Sequence, residues 1–224
     1  MQEAKKIVIN LVTRNGLAFL PNFFASLDEQ SLKDFTVTVV DNASDDGTIK
    51  WLTDNRPDVA MLRNFRNQGF ARAHNQAITL ALSRWPEETW HERFILIANQ
   101  DMEFAPACLE ELLRVMEAYP EFAACGPKLL RAHAVADYDG RRETERTNTI
   151  DAAGLVATKS RRFYDRGAGE DDKGQYDGST EVFGLSGTCI LYRASALVQA
   201  KLSGEFFDED FCFCTGGIDK ENER

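Results

Sequence analysis

Over its first 130 residues the chain alternates short apolar runs with longer stretches whose apolar positions recur every three or four residues. This is the pattern of βαβ units laid on a mostly parallel sheet. Residues 7–12 read as the first strand. Leu20, Phe23, Phe24 and Leu27 then fall at helical spacing and predict an amphipathic helix over 17–30, with Pro21 tolerated in its first turn. Residues 36–40 predict a second strand, after which Ser44 is expected to cap a short helix holding Asp45 and Asp46 in its first turn. A strand over 59–62, a helix over 69–82 marked by Phe70, Ala73, Ala77 and Ala81, a strand over 94–98 and a helix through Leu109, Leu112, Leu113 and Met116 complete this part. Beyond Leu130 the texture changes. Residues 131–149 and 165–180 are polar, charged and glycine-containing, the composition of surface loops. Between them 150–164 predicts a hairpin, and 181–192 contains a strand leading through Arg193 and Ala194 into a helix. With no internal repeat and no linker, a single α/β domain is expected over residues 1–224.

The apolar runs end in polar residues. The strand over 94–98 stops abruptly at Asn99, Gln100 and Asp101, the second strand runs into Asp41, Asn42 and Ser44, and the first into Thr13, Arg14 and Asn15. Open α/β sheets bind ligands at the carboxyl ends of their strands, so three polar strand ends together point to a site. A carboxylate such as Asp101 is a natural ligand for Mg²⁺ or Mn²⁺ beside a nucleotide diphosphate, and Asn99 can hydrogen-bond a ribose hydroxyl or a metal-bound water. Asp41 can accept from a base N–H or a ribose hydroxyl. The competing reading treats Asn99, Asp101 and Asp41 as ordinary turn and cap residues. Residues 67–77 (NQGFARAHNQA) add a helix whose first amides can face an anion, with Arg72 and Asn75 three apart on one face. Arg66 and Arg72 are candidate phosphate contacts, while His74 reads as a packed or surface residue more readily than as a catalytic one.

Composition narrows the choice. With 26 basic and 36 acidic residues the net charge is -10, which argues against sequence-independent nucleic-acid binding. No apolar run approaches the ~20 residues of a membrane span. Two lysines precede the first apolar run in the manner of a signal peptide, but Asn10 interrupts that run and no small-residue cleavage site follows, so the expected location is the cytoplasm or the membrane periphery. The five cysteines, Cys108, Cys125, Cys189, Cys212 and Cys214, fit buried free thiols in a reducing compartment, and Cys212 with Cys214 makes a poor zinc signal. A dinucleotide- or S-adenosylmethionine-dependent enzyme would place several glycines after the first strand, where this chain has only Gly16.

At these residues the chain resembles the family 2 glycosyltransferases, inverting enzymes with the GT-A fold, and looks most like their bacterial rhamnosyltransferase branch in polysaccharide biosynthesis. The likeness spans roughly residues 6–219 and rests on IVINLVTRNG, VVDNASDDGT, NQGFARAHNQA, the Asn99-Gln100-Asp101 strand end, CGPKLL over 125–130 and FGLSGTCILYRASAL over 183–197. The resemblance implies a nucleotide-binding half over 1–130 and an acceptor-side half over 131–224. It implies a nucleotide-sugar pocket formed by Thr13, Arg14, Asn15, Asp41, Asn42, Asn67, Gly69, Phe70, Arg72, Asn75, Asn99 and Gln100. Asn99-Gln100-Asp101 would be this chain's DxD motif, with Asp101 the ligand of Mg²⁺ or Mn²⁺, and residues 184–188 would line the donor-sugar and acceptor cleft. The expected partners are a nucleoside diphosphate sugar and a glycan or lipid-linked glycan acceptor. After GEFFDEDF such enzymes continue into a Glu-Asp-x-Asp motif that supplies the general base. Here Gly216 and Gly217 stand at the Glu-Asp positions, so the C-terminal part reads as altered or incomplete, and Asp208, Asp210 and Asp219 are the candidate bases. The alternative is a nucleotide-sugar-binding module that lacks its base.

Overall fold

A computed structural model describes residues 5–136, 142–178 and 181–210. Its strands are β1 (Ile7–Thr13), β2 (Phe35–Asn42), β3 (Ala60–Asn64), β4 (Phe94–Ala98), β5 (Ala124–Cys125), β6 (Leu129–Ala136), β7 (Arg142–Ala152), β8 (Leu155–Ala157), β9 (Phe163–Asp165) and β10 (Cys189–Arg193). Its helices are α1 (Leu20–Asp28), α2 (Thr48–Asn55), α3 (Gly69–Leu82), α4 (Cys108–Ala118) and α5 (Ala194–Gln199), with a 3₁₀ turn over Glu87–Glu92. The main sheet runs β3-β2-β1-β4-β10-β5, with β1 to β4 parallel and β10 antiparallel to both neighbours. Strand order reverses at β1, so β2 and β4 flank it and the crevice between β1 and β4 opens at their carboxyl ends.

Alternation assigns the two faces. Ile7, Ile9 and Leu11 of β1, with Val37 and Val39 of β2, pack against Phe23, Phe24 and Leu27 of α1 and Leu109 and Met116 of α4. Val8 of β1 with Ile95 and Ile97 of β4 meets Ile78 and Ala81 of α3 on the opposite face. β4 is buried at all five positions because both of its faces are covered, which explains its unbroken apolar run. Arg193 ends β10 in a buried position and donates to the carbonyls of Phe122, His91 and Met116 at 3.1, 2.6 and 2.7 Å. That guanidinium ties the antiparallel strand to the far end of α4. Cys108, Cys125 and Cys189 are free thiols, and burial pushes all three above the ordinary thiol value.

Two expectations need correction. The helix after β2 begins at Thr48 and not at Ser44, because Gly47 turns the chain at φ +98°. Asp46 then accepts from the Thr48 N–H and hydroxyl at 2.9 and 2.6 Å from outside the helix. Residues 131–149, expected as loop, contribute most of the β6–β7 ribbon. Its exposed strands carry no buried alternation to read; Leu129, Ile150 and Ala152 anchor one end in the core, and Arg146 pairs with Glu103 at 3.1 Å. The strand expected within 181–192 is β10, which leads through Arg193 into α5 as expected, and residues 181–188 before it run mostly as irregular chain. The predicted hairpin over 150–164 is β8 paired with β9.

Candidate active site

Register aligns the polar strand ends in one row. Thr13 of β1 lies opposite Asp41 of β2, and the β1–β4 pairing places Gln100 beside Thr13 on the other flank. The buried Thr13 hydroxyl donates to Gln100 Oε1 at 2.6 Å, and the Arg14 N–H donates to the same oxygen at 3.2 Å. Gln100 Nε2 returns a bond to the Arg14 carbonyl at 3.4 Å. Gln100 therefore braces the crevice. Gly16 closes this corner: a Cβ there would collide with Thr13 Oγ1 and Gln100 Oε1. Sequence reading passed over that requirement, although a glycine directly after a polar strand end was its available signal.

Asp41 is fully buried, yet among the described residues its Oδ1 has no hydrogen-bond partner and its Oδ2 accepts only the Ser44 N–H, at 3.3 Å. A buried acceptor without a donor carries an unrecovered desolvation cost, which a hydrogen bond from a bound ligand or a water would relieve. Strain gathers at the same edge. Asn15 after β1 and Ala43 after β2 hold φ of +51° and +65°, unfavourable for residues with a side chain. Their loops are stitched together. Asn15 N–H donates to Ser44 Oγ at 2.9 Å, Asp45 N–H to Asn15 Oδ1 at 3.0 Å, Gly16 N–H to Thr48 Oγ1 at 2.9 Å and Leu17 N–H to Asp46 Oδ2 at 3.0 Å. Burial opposes charge on Asp46, but the hydrogen bonds from Thr48 and Leu17 prevail and hold its carboxyl below the ordinary value.

On the far side of β2, Asn42 is buried and organises the entry to α3. Its Nδ2 donates to Asn67 Oδ1 at 2.7 Å and the Gly69 carbonyl at 3.3 Å, while its Oδ1 accepts the Gln68 N–H at 2.9 Å. Asn67 Oδ1 also accepts the Gly69 N–H at 3.0 Å, so the first amide of α3 is satisfied within the chain. Gly69 supplies φ +78° at that corner. Arg72 and Asn75 share a face, as their spacing suggested, and both reach Glu209. Arg72 Nε lies 3.1 Å from Glu209 Oε2 and Asn75 Nδ2 3.1 Å from Oε1. Asn75 also bonds both the carbonyl and the N–H of Phe207, at 2.8 and 3.0 Å. The guanidinium expected at a phosphate is engaged by a carboxylate, and Glu209 is a second residue that sequence reading missed between Asp208 and Asp210. His74 is buried, its ring 4.2 Å from that of the half-exposed Phe70, and burial lowers it to about 3. It is a packing residue.

Asn99 N–H donates to the Thr188 carbonyl at 3.0 Å, tying the end of β4 to residues 184–188. Asp101, next in the turn, is exposed and its carboxylate bonds no described residue. Among the described residues no three His, Cys, Asp or Glu side chains converge on one point. A free carboxylate at this edge still fits a cation that takes most of its ligands from phosphate and water. Asp208 Oδ1 accepts the Asp210 N–H at 3.0 Å and both acids are exposed on the segment clamped to α3. Asp219, Gly216, Gly217, Cys212 and Cys214 lie outside the described residues.

Two cavities flank this edge. One of about 670 Å³ lies between α3 and residues 204–209. The other, about 800 Å³, joins residues 125–129 to Gly184, Leu185 and Ser186, so two of the motifs noted in the sequence share its wall. Neither is lined by Thr13, Asp41 or Asp101. The candidate site therefore rests on Asp41 Oδ1 and the exposed Asp101 carboxylate and not on cavity size.

Comparison with known proteins identifies the fold and the family. A curated N-acetylglucosaminyl-diphospho-decaprenol L-rhamnosyltransferase of Mycobacterium tuberculosis is 28% identical over 193 residues, 84% of this chain and 61% of the relative. The chain thus spans less than two thirds of that protein's length. Among solved structures, S. aureus TarS 1-349 in complex with UDP superposes with a TM-score of 0.53 at 18% identity, covering 87% of this chain and 48% of that one. Full-length S. aureus TarS gives 0.53 at 19% identity, over 92% and 31%. These likenesses establish the GT-A fold, with its mostly parallel sheet flanked by helices. The Glycosyl transferase family 2 profile matches residues 8–199, and the chain belongs to that family.

Proposed function

We propose that this chain moves a hexosyl or rhamnosyl group from a nucleoside diphosphate sugar to a hydroxyl of a glycan or lipid-linked glycan, with inversion, at the cytoplasmic side of a membrane. The observation that carries the reading is Asp41 Oδ1, a fully buried carboxylate oxygen at the carboxyl edge of the sheet with no donor among the described residues. A ribose hydroxyl or base N–H would supply one. The Thr13–Gln100 brace and the Asn42–Asn67 clamp hold the two flanks of Asp41 apart, which preorganises the edge for a planar base and its ribose. Asn99 and residues 184–188 would position the sugar, because the Asn99 N–H bond fixes that segment beside the end of β4. Asp101 would hold Mg²⁺ or Mn²⁺ together with the donor's phosphate oxygens, and the ion would neutralise the departing diphosphate. Asp208 and Asp210 are the described candidates to take the proton from the acceptor hydroxyl. Their backbone is fixed relative to α3 through Glu209, Arg72 and Asn75. The mycobacterial relative, named for a rhamnosyl transfer to a diphospho-decaprenol glycolipid, supports the sugar class and the acceptor class.

The test is a panel of nucleoside diphosphates and their sugars screened by thermal shift with Mn²⁺. Bound ligand raises stability by RT ln(1 + [L]/Kd), about 2.7 kcal/mol at a hundredfold excess over Kd. At least one donor should raise Tm by several degrees and be consumed when a polyprenyl-linked acceptor is added. A flat response across the whole panel would contradict the proposal.

A further inference from the structure

The acceptor-side cavity opens beside a structure that the transfer reaction leaves unexplained. Ala153, Gly154 and Arg166 line that cavity, and the β8–β9 hairpin springs from these same positions. At the far end of the hairpin, Lys159, Arg161 and Arg162 are exposed, and none of the three side chains forms an ion pair or hydrogen bond with a described residue. Phe163 and Tyr164 follow, 61% and 54% exposed. Phe183 is 68% exposed and packs its ring 5.5 Å from that of Phe163. The outward turn of Phe183 is imposed by its neighbours, since Val182 and Gly184 on either side face the cavity. Gly154 makes room for Val182 there, because a Cβ at Gly154 would overlap it.

Two exposed rings in contact, beside three cations that pair with no described residue, stand out on a chain of net charge -10, and Tyr164, next to Phe163 in β9, is exposed on the other face of the ribbon. Asp165, the nearest acid along the hairpin, pairs with Leu155 at its base, away from the turn. The patch is the convex tip of a two-stranded ribbon. It is too narrow for a stable protein interface, which needs roughly 800 Å² on each partner, and it forms no groove for a nucleic acid strand. Aromatic rings flanked by Lys and Arg are suited to the boundary between headgroups and acyl chains. We infer that the β8–β9 tip, with Phe183, docks the chain on an anionic lipid bilayer and turns the mouth of the acceptor-side cavity toward it.

Chain geometry connects this surface to the site. Thr188, whose carbonyl receives the Asn99 N–H, is five residues from Phe183, so the two lie at most ~18 Å apart. A lipid-linked acceptor held in the bilayer would extend its sugar along residues 184–188 toward the end of β4. In this last respect the inference rests on the proposed transfer reaction, but docking itself does not.

Sedimentation of the full chain with vesicles tests it, using phosphatidylglycerol-rich vesicles against pure phosphatidylcholine. Each basic residue near an anionic surface contributes roughly fivefold to partitioning, so Arg161→Gln with Arg162→Gln should weaken binding about 25-fold. Added salt should weaken the parent in the same direction. Phe163→Ser with Phe183→Ser should also weaken binding, while both double variants keep the parent's Tm and nucleoside diphosphate affinity. Equal binding to neutral vesicles, no binding to either, or variants that bind like the parent would overturn the inference. So would equally tight capture by a soluble polyanion that is indifferent to the phenylalanines. The vesicles contain neither donor nor acceptor, so a negative result here leaves the transferase reading standing, and loss of nucleotide binding leaves docking standing.

Discussion

Replacing Asp41 with alanine separates a ligand contact from a structural one. In the free protein this side chain contributes little that the fold needs, because Oδ1 bonds no described residue and Oδ2 accepts a single long bond of 3.3 Å from the Ser44 N–H. Removing that bond costs about 1 kcal/mol. Taking out a buried, half-satisfied carboxylate offsets part of this, so Tm should fall by no more than ~4 °C for a chain of this length. Ligand binding should respond differently. A charge-assisted hydrogen bond to Oδ1 contributes about 1.5–3 kcal/mol, so the affinity for a free nucleoside diphosphate should drop roughly tenfold to a hundredfold, with or without metal. Calorimetric titration beside a thermal melt measures both quantities on one preparation. A variant that melts far below the parent yet binds nucleoside diphosphate as tightly would refute the reasoning and make Asp41 a turn residue.

Gly16→Ala should push Gln100 off Thr13 and Arg14, lowering stability by about 1–3 kcal/mol and weakening nucleotide binding; a thermal melt and a titration equal to the parent's would show that the corner tolerates a methyl group. His74 predicts a pH dependence. Burial lowers it to about 3, whereas the unfolded chain takes up its proton near 6.5, so the unfolded state binds more protons across that window and stability falls as pH drops through it. Between pH 7 and 5 the loss from this residue is about 2 kcal/mol, and His74→Gln should abolish that part of the slope in urea unfolding. A parent and a variant with the same slope would mean that the ring is protonated in the native state.

The parts legible in the sequence are those whose signal is local. α3 begins at Gly69 and ends at Leu82 as its spacing predicts, and β4 occupies 94–98, because burial on both faces writes an unbroken apolar run that stops at the polar residues from Asn99 on. Asp41 and Asp101 were findable as acids at strand ends. The β6–β7 ribbon was not, since it stands apart from the main sheet and its exposed positions need no hydrophobic alternation. Roles that depend on distant partners were equally hidden. Gln100 meets a hydroxyl 87 residues away, and Asn75 meets Glu209 134 residues away. No local pattern distinguishes an amide that braces a crevice from one that contacts a nucleotide. Spacing put Arg72 and Asn75 on one face of α3, but what that face holds came only from the tertiary structure.

In the proposed reaction the carboxyl edge of β1, β2 and β4 binds a nucleoside diphosphate through a metal at Asp101. The most direct test is calorimetric titration of the parent and Asp101→Asn with the nucleoside diphosphate that scores highest in the thermal-shift panel, in the presence and absence of Mn²⁺. Asp101 is exposed and bonds no described residue, so the variant should fold and melt like the parent. Mn²⁺ should tighten binding to the parent and have no effect on the variant, whose metal-free affinity should match the parent's. Equal enhancement by Mn²⁺ in both proteins would contradict the assignment of the metal to Asp101.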